Sequence, residues 1–101
     1  MIQRVEVTKR AEKSLGKVPV HVREDFLFWK RQVEDSGLAE VQKIPGYHDE
    51  PLEGKLKGVR SIRLSRGYRA YYVIAGGAVQ FVRVEEVNKH DYKKIERLFG
   101  R

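Results

Sequence analysis

The sequence predicts an α+β fold: an antiparallel four-stranded sheet with two N-terminal helices packed on one face and a short C-terminal helix. Two observations carry this prediction. Apolar residues recur at helical spacing before residue 37, and short β-rich runs separated by glycine-containing turns follow residue 58. The chain has 101 residues, with no internal repeat, low-complexity segment or linker. We therefore expect residues 1–101 to form a single domain.

The first elements are a strand and a short helix. Ile2, Val5 and Val7 supply enough β-branched residues for an edge strand. Thr8 is suited to cap the N-terminus of the helix that follows, because its hydroxyl can accept a backbone N–H. That helix is expected to end near Gly16.

A longer helix is predicted to begin at Pro19 and to end at Gly37. Its apolar residues are spaced by four, three and four positions, which is typical of one buried stripe. The stripe consists of Val22, Phe26, Trp29 and Val33. Phe28 falls off this stripe, so we expect it to be exposed and available to a partner. Residues 38–44 are expected to add another turn or two.

Residues 45–58 contain two prolines and three glycines and are predicted to be a loop. Three strands are predicted after it, at residues 59–65, 68–75 and 78–84, with tight turns at Arg66-Gly67 and Gly76-Gly77. Asp91 is suited to cap a last short helix. With the helices on one face, the other face of the sheet is expected to be free for a ligand.

Positive charge is concentrated in the predicted sheet. The net charge of the chain is +7, and residues 55–84 contain seven Lys or Arg but no Asp or Glu. The cations are Lys55, Lys57, Arg60, Arg63, Arg66, Arg69 and Arg83. Apolar residues interleave with them, so the segment folds and holds its guanidinium groups in fixed places. Fixed arginines suit phosphate, which makes nucleic acid the leading partner.

Other classes of protein are disfavoured by what the sequence lacks. There is no cysteine, which excludes disulfides, thiol nucleophiles and cysteine-bound zinc. No apolar run approaches the length of a membrane span, and the segment MIQRVEVTKR has no signal-peptide core. A cytoplasmic protein that has no membrane partner and needs no cofactor or metal is expected.

Strand alternation places Arg63 and Arg69 together on the open face. Glu50 could then act as a general base and His90 as a general acid, with the RNA 2′-hydroxyl as the nucleophile. In this scheme Arg69 and Arg63 stabilise the extra charge on the phosphate. Taken singly, each residue also fits a plainer role: Glu50 as a loop carboxylate paired with a lysine, and His90 as a polar residue before a helix.

Two segments resemble the RelE/ParE superfamily of toxins from toxin–antitoxin pairs: DEPLEGKLKGVRSIRLSRGYRAYYVI, residues 49–74, and FVRVEEVNKHDY, residues 81–92. The similarity is greatest to the YoeB-like ribonuclease branch. It implies Glu50 as base, Arg69 as the phosphate-binding arginine and His90 as acid, with Arg63 as a further catalytic cation. The residues expected to bind RNA are Lys55, Lys57, Arg60, Arg66, Arg83, Lys89 and Tyr92.

The resemblance implies an endoribonuclease that cleaves mRNA on the ribosome without metal and is neutralised by a cognate antitoxin. Two alternatives remain open at this point. One is a ParE-like inhibitor of DNA gyrase, which would have no catalytic site. The other is a module whose basic sheet binds RNA without cleaving it.

Overall fold

The computed structural model describes residues 1–89 and 91–99, apart from the side chain of residue 92. The helices are Lys9–Leu15 (α1), Val20–Ser36 (α2), Leu38–Gln42 (α3) and Tyr92–Phe99 (α4). The strands are Val5–Val7 (β1), Glu50–Pro51 (β2), Arg60–Ser65 (β3), Tyr68–Ala75 (β4) and Phe81–Lys89 (β5). Short 3₁₀ turns lie at Pro45–Tyr47 and Gly54–Leu56. The predicted α+β class is confirmed.

The sheet differs from the prediction in strand number and direction. It has five strands in the order β1-β5-β4-β3-β2, and β1 runs parallel to β5 while the other pairs are antiparallel. The predicted four-stranded antiparallel sheet is therefore wrong in both respects. β2 is only two residues long and contains Pro51, so it lacks the alternation that marks a strand in sequence. The parallel pairing of β1 depends on the long connection through the rest of the chain.

The last strand is longer than predicted. The sequence indicated an end at Val84, whereas β5 continues to Lys89. Tyr72 pairs with Val84 and Tyr71 pairs with Glu86, so Glu85 is the extra residue of a β-bulge. In the sequence, two consecutive acids such as Glu85 and Glu86 are typical of the end of a strand. In the structure both lie within β5, and the bulge gives the two side chains different surroundings.

One face of the sheet packs against α1, α2 and α3. The predicted stripe of α2 is confirmed, since its four residues have no exposed surface in this core. The Thr8 hydroxyl accepts the backbone N–H of Ala11, as expected of an N-cap. Opposite the stripe, β3, β4 and β5 contribute apolar residues, chiefly Ile62, Leu64, Ala70, Tyr72, Val82, Val84 and Val87.

The other face of the sheet is partly covered, which corrects the expectation of a free face. A second apolar cluster there joins the Gly54–Leu56 turn and α4 to the sheet. Its buried members are Leu52, Leu56, Val59, Tyr71 and Ile95. The half of this face toward the β3–β4 turn carries polar and charged residues instead, and it is where the predicted site residues lie.

Candidate active site

Strand register brings the predicted residues together on the second face of the sheet. Glu50 pairs with Ser61, which pairs with Tyr71 on the next strand. In the neighbouring row Arg63 pairs with Arg69. Paired residues of antiparallel strands point to the same face, and residues two apart on a strand share a face. Glu50, Arg63 and Arg69 therefore share one face.

The spacing of the strands sets the size of this group. β3 separates Glu50 from Arg69, so the two lie about 10 Å apart across the sheet and about 7 Å apart along the strand direction. Arg63 lies between them on β3. The three side chains are long enough to reach one nucleotide placed over the sheet.

The two arginines form a positive pair with no acid between them. Arg69 is half-buried and donates to the hydroxyl of the buried Ser61 at 3.3 Å, while Arg63 is exposed. Neither forms an ion pair with any residue in the described part of the chain. Like charges directly opposite each other on a sheet destabilise it. An oxyanion placed between the guanidinium groups would relieve that repulsion.

Glu50 is exposed at the end of this face, on the short strand β2. Its carboxylate forms no ion pair within residues 1–89 and 91–99. The backbone is fixed on its C-terminal side, because the N–H of buried Leu52 donates to the Val59 carbonyl at 2.9 Å. An exposed, unpaired carboxylate beside two cations is available to accept a proton from a ligand.

Asp49, next to Glu50, is held in a buried polar network. Its side chain is 1 % exposed and accepts Arg60 Nε at 2.7 Å and the Tyr72 hydroxyl at 2.6 Å. Gln42 Nε2 donates to the same hydroxyl at 3.0 Å. Burial, followed by the hydrogen bond to Asp49, raises the pKa of Tyr72. Tyr72 therefore remains a hydrogen-bond donor at neutral pH.

Arg60 lies on the core side of β3, where it is half-buried, and its Nε donates a hydrogen bond to Asp49. Burial opposes its charge, but the hydrogen bond and the negative charge of Asp49 outweigh this and raise the pKa of Arg60. Arg60, one of the residues expected to bind RNA, is thus engaged in an ion pair with a buried carboxylate. The sequence contained no signal for this network, because its four members come from α3, the loop and two strands.

The other predicted RNA contacts are at the surface. Four of them are exposed around the site, at the 3₁₀ turn before β3, at the β3–β4 turn and at the end of β5: Lys55, Lys57, Arg66 and Lys89. Arg83 is also exposed, but it donates to Glu85. It pairs with Val73, four residues from Arg69, or about 14 Å along the strand. Arg83 therefore lies well away from the row of Arg63 and Arg69.

Two predicted residues lie outside what the structure describes. They are His90 and the side chain of Tyr92. The elements on both sides are described: β5 ends at Lys89, and the N-terminus of α4 is capped by Asp91, whose carboxylate accepts the Lys94 N–H at 3.1 Å. The predicted cap of the last helix is confirmed.

A buried carboxylate, which no sequence pattern predicted, is present at Glu86. This side chain is 0 % exposed and accepts the Ser14 hydroxyl at 2.6 Å. It also accepts Lys94 Nζ at 3.1 Å and Asn88 Nδ2 at 3.3 Å. A buried charge requires such partners. Glu86 thereby connects α1, β5 and α4.

Neither a cluster of metal ligands nor a membrane-spanning helix occurs in the part of the chain that the structure describes. No three His, Asp or Glu side chains there are grouped so that they could hold a metal ion. No helix in those residues has the length and apolar character needed to cross a membrane. What the described site offers is a pair of guanidinium groups and one carboxylate over a rigid sheet.

No protein-family profile matches this chain, and no curated protein sequence matches it. Solved structures do. A YoeB/ParE toxin from Agrobacterium tumefaciens is 18 % identical with a TM-score of 0.65, over 87 % of this chain and 99 % of that one. The E. coli DinJ–YafQ toxin–antitoxin complex matches at 20 % identity with a TM-score of 0.65, and the match covers 88 % of this chain and 94 % of that one. The archaeal RelE–RelB complex from Pyrococcus horikoshii OT3 matches at 20 % identity with a TM-score of 0.65, and the match covers 88 % of this chain and 96 % of that one.

These similarities define the class of fold. The chain has the α+β fold shared by the YoeB/ParE, YafQ and RelE toxins, over nearly the whole of their length. The resemblance to the RelE/ParE superfamily inferred from the sequence is confirmed at the level of the fold.

Proposed function

We propose that this protein is the toxin of a toxin–antitoxin pair and acts as an endoribonuclease on mRNA, with the ribosome as the place of cleavage. The observation that carries the proposal is the register that sets Arg63 opposite Arg69, one row from Glu50. The fold shared with toxins supports it. A site made of cations and one exposed carboxylate suits a phosphodiester whose nucleophile comes from the substrate.

The proposed reaction uses the RNA 2′-hydroxyl. Glu50 takes its proton, the 2′-oxygen bonds to phosphorus, and the bond from phosphorus to the 5′-oxygen breaks. Arg69 and Arg63 stabilise the added negative charge on the phosphate oxygens. His90 protonates the departing 5′-oxygen. The products are a 2′,3′-cyclic phosphate and a 5′-hydroxyl, and no metal takes part in the scheme.

The exposed cations around the site are proposed to bind the RNA on either side of the cut. Lys55 and Lys57 lie on the Glu50 side of the sheet, whereas Arg66 and Lys89 lie at the opposite end of the arginine row. Such phosphate contacts hold the strand in register without reading its sequence. Arg60, Arg83 and Tyr92 are retained as further proposed contacts, with Arg60 restricted by its pairing to Asp49.

A cognate antitoxin is the proposed protein partner, in the cytoplasm. Phe28 is 61 % exposed on α2, beside the exposed Leu27. A groove of about 280 Å³ extends from Phe28 past Tyr47 to Arg63. An amphipathic segment with apolar residues at Phe28 and carboxylates toward Arg63 would fit this surface and cover the site. The structures of the DinJ–YafQ and RelE–RelB complexes support a partner of this kind.

The proposal is tested by mapping RNA ends in cells after induction of the wild-type chain and of variants. We expect Glu50→Gln and His90→Ala each to lower cleavage by about 10²- to 10⁴-fold, the usual contribution of a positioned proton-transfer group. Glu53→Gln is the matched control, since Glu53 is an exposed carboxylate three residues along the same segment. Its cleavage should equal that of the wild type.

Three results would overturn the proposal. Full cleavage by both variants, at protein levels equal to the control, would remove the acid–base assignment. Growth arrest without new RNA ends, accompanied by relaxed plasmid DNA, would indicate a gyrase-directed toxin instead. Binding of RNA with neither cleavage nor growth arrest would indicate a plain RNA-binding module.

A further inference from the structure

Few contacts of its own strand hold the proposed base, Glu50, in place. Glu50 lies on a strand of two residues, which pairs only with Ser61 and Arg60. The loop before it contains no regular structure beyond the turn Pro45–Tyr47, and His48 adopts a left-handed conformation with φ of 46°. A two-residue strand at the sheet edge cannot by itself hold a carboxylate to the precision that proton transfer needs.

The residue before Glu50 supplies the missing constraint. Both oxygens of Asp49 are engaged, Oδ1 by Arg60 Nε and Oδ2 by the Tyr72 hydroxyl. These donors come from β3 and β4, two interior strands whose backbones are paired on both sides. Gln42 of α3 in turn donates to the Tyr72 oxygen. Asp49 is therefore attached at two points to rigid parts of the fold.

A second anchor acts earlier in the loop. The Tyr47 hydroxyl donates to Gln32 Oε1 on α2. Tyr47 is two residues before Asp49, so the chain is held to a helix and to the sheet within three residues. The freedom left to the backbone at Glu50 is correspondingly small.

We propose that Asp49, together with Tyr72 and Arg60, is a positioning unit that fixes the Glu50 carboxylate over the arginine row. This inference rests on the proposed function, because it presumes that Glu50 is the base. Asp49 is not itself a rival base, since its side chain is 1 % exposed and both of its oxygens already accept hydrogen bonds. It acts through Glu50.

The test uses purified toxin and single-turnover cleavage of ribosome-bound mRNA at several toxin concentrations. Tyr72→Phe removes the hydroxyl that donates to Asp49 but keeps the ring in the core. We expect the maximal cleavage rate to fall by about 10- to 100-fold, because a displacement of about 1 Å in a catalytic group can cost about 100-fold. The half-saturating toxin concentration should stay within about twofold. Asp49→Asn provides a second variant with nearly unchanged volume and no charge.

A control variant distinguishes a loss of positioning from a general loss of stability. Thr8→Ala removes the N-cap of α1, on an element outside the site. It should leave the cleavage rate unchanged at a temperature where all variants are folded. Loss of rate in Thr8→Ala equal to that in Tyr72→Phe would overturn the positioning role.

Combination with Glu50→Gln gives the decisive comparison. If the network acts through Glu50, adding Tyr72→Phe to Glu50→Gln should slow cleavage by less than about threefold beyond the single variant. A further loss as large as that seen in the wild-type background would refute the inference while leaving the proposed base intact. Unchanged cleavage in Glu50→Gln alone would instead remove the proposed function.

Discussion

The ion pair between Lys94 and Glu86 offers a direct measure of what holds α4 to the sheet. Glu86 is fully buried, and Lys94 supplies its only charged partner in the part of the chain that is described. In Lys94→Met the carboxylate keeps hydrogen bonds from Ser14 and Asn88 but loses its counter-charge. Breaking a fully buried pair costs about 3–5 kcal/mol. Because the Lys94 side chain is 44 % exposed, we reduce this to about 1–3 kcal/mol.

Urea unfolding followed by tryptophan fluorescence measures this cost, since Trp29 lies in the other core. Lys93→Met is the matched control: the neighbouring lysine is exposed and forms no ion pair within the described residues, so its free energy of unfolding should change by less than about 0.5 kcal/mol. Adding Glu86→Gln to Lys94→Met should cost less than the sum of the single changes. Equal stability of the two lysine variants, or strict additivity, would refute the pairing.

Three further predictions concern the partner, the nucleophile and pH. Phe28→Ala should weaken antitoxin binding with little change in stability, whereas Phe26→Ala, in the core, should cost about 3–5 kcal/mol; co-purification and urea unfolding distinguish them. A 2′-deoxy nucleotide at the cut should block cleavage, and cleavage of that substrate would contradict attack by the 2′-hydroxyl. Burial and Asp49 raise the pKa of Tyr72 above its unfolded value of about 10, so the folded state keeps this proton longer than the unfolded chain and stability falls as pH rises above about 10. Tyr72→Phe should flatten that alkaline loss in a urea series.

The features that the sequence predicts correctly are those that depend on local patterns. The stripe of α2 depends only on the spacing of apolar residues, and the shared face of Arg63 and Arg69 depends only on alternation within two strands joined by a tight turn. Both are properties of neighbouring residues. Alternation could not place Glu50 on the same face as the two arginines, because β2 is too short to show it.

The errors arise where distant parts of the chain meet. The parallel partner of β1 is about 75 residues away along the chain, and nothing local specifies its direction. The predicted strand ended at Val84, whereas Glu86 lies within β5; an acid in a core position is rare, and only contacts with α1 and α4 make its burial tolerable. The burial of Asp49 likewise depends on distant partners, since the groups that donate to its carboxylate come from β3 and β4.

The two unusual placements of charge in this protein differ in what satisfies them. Glu86 and Asp49 are buried acids whose oxygens are engaged by the fold itself, so their burial is explained by stability and position. Arg63 and Arg69 face each other on adjacent strands with no described acid to neutralise them. A local arrangement that lowers stability without internal compensation marks a place shaped for a ligand. An oxyanion is the kind of ligand that would compensate two forked cations on a sheet, and this supports the proposal of a phosphodiester substrate with Glu50 as its base.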